Sequence, residues 1–150
     1  GINCGPAHVE MILTKDGPKM VELGARMGGD CITTHLVPLS TGIDMVECSI
    51  KIALGEAPDL EPKWEKGSAI RYLSAEPGII RDIIGLENAK AQPDVTQISI
   101  VHGVGEQACE IKSSTDRVGF IIAEGCSAKD AIINCENALS KMQVVTERKG

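Results

Sequence analysis

Residues 5–29 constrain the chain more than any other stretch. Two apolar-polar alternating runs, 7–14 and 18–26, flank Lys15-Asp16-Gly17. Alternation with a period of two marks β-strands with one buried face, and Asp-Gly between such runs marks a hairpin turn. A three-residue loop, Lys15-Asp16-Gly17, sets Thr14 against Pro18, Ile12 against Met20, Glu10 against Glu22 and His8 against Gly24. One face then carries His8, Glu10, Ile12, Met20, Glu22, Gly24 and Arg26. The other carries Val9, Met11, Leu13, Val21, Leu23 and Ala25 and is expected to lie on a core. A two-residue Asp16-Gly17 turn would send the glutamates to opposite faces. The three-residue loop is preferred because it also gathers Arg26 onto the charged face.

Opposed side chains on a ladder lie roughly 4.5–5.5 Å apart at Cβ. Two carboxylates at that range repel by about 3 kcal/mol at an effective dielectric of 20. Such a pair calls for a cation or a shared proton. Oxygen ligands that also meet phosphates suit Mg²⁺, which keeps waters and takes one or two protein carboxylates. Arg26, one pleat beyond Glu22, is within reach of a phosphate. Gly28-Gly29 allow close approach of backbone to a ligand. A solvated hairpin with two glutamates on its wet face reads equally well from these residues alone.

The order His8-Val9-Glu10, then 14–18 (Thr-Lys-Asp-Gly-Pro), then 21–30 (Val-Glu-Leu-Gly-Ala-Arg-Met-Gly-Gly-Asp) resembles the C-terminal part of the ATP-grasp superfamily. The resemblance is strongest to the carboxylate–amine ligase branch that includes the L-amino acid (dipeptide) ligases, and it extends through residue 56. It implies that Glu10 and Glu22 bind the Mg²⁺ (Mn²⁺ being an alternative) that bridges the phosphates of ATP. It implies that Arg26 contacts phosphate or an acyl phosphate, as the catalytic side chain. Gly28, Gly29 and Asp30 would lie beside the acyl-acceptor pocket, as substrate-binding residues. Many members carry asparagine two residues after the second glutamate; here that place holds Gly24. The activity implied is ATP-dependent joining of a small carboxylate to an amine. The partners implied are upstream portions of a longer chain that hold the nucleotide, and a homo-oligomer is compatible with it. The competing reading is a non-catalytic interaction or oligomerisation module.

Further along, Asp30 is expected to cap a short helix from Cys31 that ends near Pro38, with His35 a satisfied buried side chain rather than a ligand. The run 41–44 (Thr-Gly-Ile-Asp) matches a capping box. The helix it opens carries Ile43, Val46, Ile50, Ala53 and Leu54 at helical spacing. It is expected to pack on the apolar face of the hairpin and to stop at Gly55. Residues 57–67, polar with two prolines nearby, read as a linker between a portion spanning 1–56 and a second spanning 68–150. The second portion holds strand-like runs at 69–74, 79–84, 95–101, 107–112 and 117–123. A short helix at 86–92 ends at Pro93. A helix capped by Ser127 carries Ala131, Ile132, Cys135, Ala138, Leu139 and Met142 along one face. The last residues, 146–150, are expected to fray. The fold class is α+β: an antiparallel hairpin with helices, then a small antiparallel sheet covered by helices.

Composition narrows the rest. The hydrophobic fraction of 43% can build a core, and with only Trp64, Tyr72 and Phe120 as aromatics that core must be aliphatic. A net charge of −6 argues against nucleic acid and anionic membrane surfaces. No apolar run approaches the roughly 20 residues of a membrane span. The six cysteines form no metal-binding spacing and are expected to be buried thiols of a cytoplasmic protein. The segment His102-Gly-Val-Gly-Glu106 reads as a turn rather than a phosphate loop. Arg71, Arg81 and Arg117 read as a solvated sheet face.

Overall fold

The computed structural model describes residues 1–148 and divides the chain into two compact units, Gly1–Trp64 and Glu65–Gly150. The last two residues of the expected frayed tail lie outside the described residues. Its first two, Thr146 and Glu147, are not frayed; they belong to a strand of the second unit.

The first unit opens with β1 (His8–Thr14) and β2 (Gly17–Gly24), paired antiparallel. The turn is shorter than expected. Thr14 pairs with Gly17, leaving a two-residue connection of Lys15 and Asp16. Thr14 fixes it, its hydroxyl donating to Gly17 O at 2.8 Å and accepting from Asp16 N–H at 3.2 Å. Continued regularly, this register would set Glu22 against Val9. A β-bulge intervenes: Met11 faces Met20, Glu10 faces Glu22, and Val21 is the extra residue between them. The glutamates are therefore opposed as expected, through a different turn and a compensating bulge. Beyond the bulge the faces are reassigned. Met20 joins Met11 on the apolar face, and Lys19, opposite Ile12, moves to the carboxylate face.

The apolar face is not covered in the described chain. Val9, Met11, Leu13, Met20 and Leu23 are exposed, Leu13 at 84%. The expected packing of the following helix on this face is not seen; that helix makes its principal contacts with the turn at residues 32–36.

That turn corrects a second expectation. Asp30 and Cys31 both take left-handed backbone, so Asp30 does not cap a helix. Ile32–Leu36 instead form a π-helical turn, with Leu36 N–H donating to Cys31 O at 3.0 Å. It runs directly into α1 (Val37–Thr41), and Pro38 sits in the first turn of α1 rather than at a helix end. Proline is tolerated there because a first-turn N–H has no helical partner. The next helix, α2 (Met45–Ala53), is capped by Asp44, not Thr41. The Asp44 carboxylate accepts from the N–H groups of Val46 at 3.0 Å and Glu47 at 2.9 Å. Thr41 ends α1, its hydroxyl donating to Val37 O. The helix stops as expected at Gly55, in left-handed backbone. Gly55 N–H donates to Ile52 O and Glu56 N–H to Lys51 O, a Schellman motif. Cys48 is the buried residue of α2, while Ile50 and Leu54 are exposed. Trp64 anchors the end of the unit, its indole N–H donating to Leu39 O at 2.9 Å.

The second unit contains two three-stranded antiparallel sheets where one was expected. The first has the order β3 (Gly67–Leu73), β7 (Gly119–Gly125), β5 (Val95–Ile100). The other has the order β6 (Gln107–Ala108), β4 (Gly78–Ile84), β8 (Gln143–Glu147). The helix α3 (Leu86–Lys90) precedes β5, and α4 (Ala128–Leu139) covers β3 and β7. Ser127 caps α4, accepting from Asp130 N–H and donating to its carboxylate.

The face of α4 named from periodicity is the buried one. Ala131, Cys135 and Ala138 are sealed against Ala69, Ile121 and Ala123, with Ile132, Leu139 and Met142 packed alongside. A second cluster holds Leu73, Ile80, Ala108 and Val118, and Leu139 and Met142 border both. Both clusters are aliphatic. Strand β6 is shorter than expected, and residues 113–116 close a 3₁₀ turn beyond it. In it Asp116 accepts from the N–H groups of Lys112 and Ser113 and from the Ser113 hydroxyl. No helix among the described residues is long and apolar enough to cross a membrane.

Candidate active site

The hairpin brings Glu10 and Glu22 together because strand pairing, not sequence proximity, sets their distance. Both side chains are more than half exposed, at 52% and 58%. Water therefore screens their repulsion to about 1 kcal/mol, the bulk-water end of the Coulomb range, and the pair stands without burial.

Each carboxylate has a local cationic or polar neighbour. Arg26 Nη2 lies 3.4 Å from Glu22 Oε1, and its Nη1 donates to Met27 O at 3.1 Å. The arginine folds back over Gly24: a Cβ on that glycine would sit 3.3 Å from Arg26 Cγ and Nε. The space a side chain at position 24 would take is thus occupied by the stem of Arg26. On the other strand His8 Nε2 lies 3.4 Å from Glu10 Oε1. The His8 ring also abuts Gly28, where a Cβ would come within 2.8 Å of Nδ1.

Gly28, Gly29 and Asp30 follow the bend at 25–26, before Cys31 opens the π turn. Gly28 O accepts from the buried Thr33 hydroxyl at 3.0 Å, which ties the glycine segment to that turn. Partial burial, then the neighbouring Asp30 carboxylate, raise the Cys31 thiol above its usual range. Thr34 and His35 Nδ1 hydrogen-bond each other at 2.7 Å, so His35 is satisfied but half-buried rather than buried.

The structure therefore unites Glu10, Glu22 and Arg26 on one face. It adds two residues the sequence reading did not place in the site. Lys19 arrives through the bulge, and His8 through its contact with Gly28. No group of three or more His, Cys, Asp or Glu side chains among the described residues is arranged to hold a metal by itself. Two hard oxygen donors in water, beside an arginine, fit a cation completed by phosphate oxygens and waters.

The remaining candidates resolve as structural. In His102–Glu106 the Glu106 carboxylate accepts from Gly103 N–H at 2.5 Å, so the loop is closed by its own acidic side chain. Arg71 pairs with Glu136 at 3.2 Å and Arg81 with Glu147 at 2.5 Å, while the Arg117 guanidinium stacks 3.8 Å from the Tyr72 ring centroid. An open cleft of about 270 Å³ in the second unit is lined by Glu65, Lys66, Asp94, Glu124, Gly125 and Cys126. It holds a Lys66–Glu124 pair at 3.4 Å and an Asn134–Asp94 hydrogen bond at 3.3 Å. All six cysteines are free; Cys48 and Cys135 are buried, Cys31 is half-buried, and Cys4, Cys109 and Cys126 are exposed, against the expectation of burial throughout.

The chain is similar to several known proteins. The model of the L-amino acid ligase C-terminal domain 2 family matches residues 71–147, just over half of the chain. Protein y4rH of Sinorhizobium fredii is 28% identical over 132 residues, covering 87% of this chain and 27% of its own length. Phosphoribosylamine–glycine ligase of Caldanaerobacter subterraneus is 28% identical over 130 residues, covering 85% of this chain and 30% of its own. The crystal structure of L-amino acid ligase from Bacillus licheniformis superposes with a TM-score of 0.81 at 24% identity, over 99% of this chain and 38% of that one. That likeness establishes the shared α+β fold. The chain spans about three-tenths of the length of the curated relatives it matches. The chain belongs to the L-amino acid ligase C-terminal domain 2 family, and with it to the ATP-grasp carboxylate–amine ligases.

Proposed function

We propose that this chain is the C-terminal portion of an ATP-dependent ligase that joins a small carboxylate to an amine through an acyl phosphate. In this reading residues 1–56 complete the ATP-grasp catalytic domain, 57–67 link it to the rest, and 68–150 form the C-terminal subdomain. The observation that carries the reading is the cross-ladder opposition of Glu10 and Glu22, with Arg26 3.4 Å from Glu22.

The reaction needs a carboxylate oxygen to attack the γ-phosphorus as the bond to ADP breaks. The amine then attacks the acyl carbon and phosphate leaves. Mg²⁺, or Mn²⁺, held between Glu10 and Glu22, would neutralise the phosphate charge. Arg26 would exchange its exposed pairing with Glu22 for the transferring phosphoryl group or the acyl phosphate, a charge that grows in the transition state. Gly28, Gly29 and Asp30 would border the amine, with bare backbone at Gly28-Gly29 allowing close approach. No protein nucleophile is required. A cytoplasmic setting agrees with six free thiols.

The test is phosphate release by the full-length protein with Mg-ATP and pooled amino acids and small carboxylates. Release should require both an acid and an amine, and Glu22→Gln should lower it by about 10²-fold or more while the fold survives. Near-normal release by Glu22→Gln would reject the assignment. A non-catalytic module would instead show no melting-temperature shift with Mg-ATP.

A further inference from the structure

We infer that His8 is a positioning residue, which holds the Glu10 carboxylate in place and locks it to the glycine segment that follows Arg26. The inference rests on the metal role proposed above for Glu10. It starts from the ladder: His8 lies on the same face as Glu10 and opposite Gly24. With no side chain at Gly24, Arg26 folds into that space and turns toward Glu22. With that space filled by Arg26, the His8 ring lies against Gly28 instead.

Two contacts define its place. Nε2 lies 3.4 Å from Glu10 Oε1, close enough for the ring N–H to donate to the carboxylate. Nδ1 and Cε1 lie 2.8 and 3.3 Å from where a Cβ on Gly28 would stand. The ring is 19% exposed, against 52% for Glu10. A long, solvated carboxylate loses rotamer freedom when it takes one orientation. A half-sequestered imidazole wedged against backbone has already lost its own. His8 therefore sets one carboxylate in advance, as Arg26 sets the other. A side chain at Gly28 would run into the ring; the backbone there is not in the left-handed region, so the strain of such a change comes from that contact.

That coupling makes the test a double-variant cycle. The readout is Mn²⁺ binding to the full-length protein with a non-hydrolysable ATP analogue, by electron paramagnetic resonance. His8→Ala should weaken Mn²⁺ about tenfold, as the loss of a residue orienting a metal ligand does. His8→Gln, whose amide nitrogen reaches the place of Nε2, should restore most of it. Gly28→Ala should weaken binding to a similar degree by displacing the ring. In the His8→Ala background the same Gly28→Ala change should cost less than about twofold, because the ring it displaces is gone. Additive losses, or no loss with His8→Ala, would overturn the positioning role. Glu10→Gln and Glu22→Gln run in parallel and should abolish binding. If they leave it intact, the metal site itself is wrong and the role of His8 falls with it. Melting temperatures of the metal-free variants identify any that lose the fold, and the glutamine variant keeps the test decisive in that case.

Discussion

Ile121 is fully buried beneath α4, and the other sealed members of its cluster are all small: Ala69, Ala89, Ala123, Ala131, Cys135 and Ala138, with larger side chains such as Ile98 and Leu139 only partly buried at its edge. Replacing it with alanine removes three buried carbons, worth ~2.4 kcal/mol at about 0.8 per carbon. The hole that remains is lined on its sealed side by side chains too short to reach into it. The cavity term is then felt nearly in full and adds ~1–2 kcal/mol, for a total of ~4 kcal/mol. Ile80 offers a control of the same chemistry. It is equally buried, but its cluster seals the long side chain of Leu73 beside it, and that side chain can close in; around Ile121 the long side chains stand only at the cluster's partly buried edge. Ile80→Ala should cost ~3 kcal/mol. The assay is urea unfolding of the chain followed by far-ultraviolet circular dichroism. With a slope near ~2 kcal/mol per molar, the Ile121→Ala midpoint falls by roughly 2 M. A loss below about 2 kcal/mol, or a larger loss at Ile80 than at Ile121, would refute the argument that small neighbours prevent collapse.

Other outcomes follow from single sites. The N–H groups of Lys112 and Ser113 and the Ser113 hydroxyl hold the Asp116 carboxyl below the usual carboxylate range. A depressed folded-state pKa gives stability that is present above the unfolded value, near pH 4, and lost as pH falls through the folded one. Asp116→Asn should therefore flatten the acid limb of melting temperature against pH; an unchanged limb would show that the turn contributes nothing. A thiol reagent should modify Cys4, Cys109 and Cys126 in the folded chain while sparing Cys135, whose buried thiol is pushed up chiefly by desolvation. Early labelling of Cys135 would contradict its burial. The chain as it stands should self-associate at high concentration through the uncovered hairpin face, and Leu13→Glu should disperse it by light scattering. A chain that is already monomeric without the substitution would refute this.

What could be read from the sequence was whatever depends on neighbours along the chain. The buried face of α4 follows from helical spacing behind Ser127, and the stop of α2 from Gly55. The opposition of Glu10 and Glu22 was legible because a hairpin turns local order into pairing, although its actual register combines a shorter turn with a bulge. What failed depends on backbone choices that residue types do not declare. Pro38 signals a helix end, yet a π turn hands the chain to α1 just in time for proline to be harmless. The capping reading at Thr41 was one element early because Asp44 offers its carboxylate to two N–H groups. Strand β8 went unseen because the pairing that stabilises it, with β4, joins residues far apart in sequence. The same holds for the division of the strands into two sheets. In the site, His8 was noted on the correct face, but its contact with Gly28 comes from the return of the chain after β2.

The bulge at Val21 has a consequence for anyone who would move this hairpin into another protein. The tip and the base run out of step by one residue, and Val21 takes up the difference. A host hairpin with regular pairing and the same two-residue tip would rotate Glu22 to the far side of the sheet. All of the residues would be present, and the pair would be lost. The transferable unit is therefore the two strands with their irregularity, whose spacing must be copied as strictly as its glutamates.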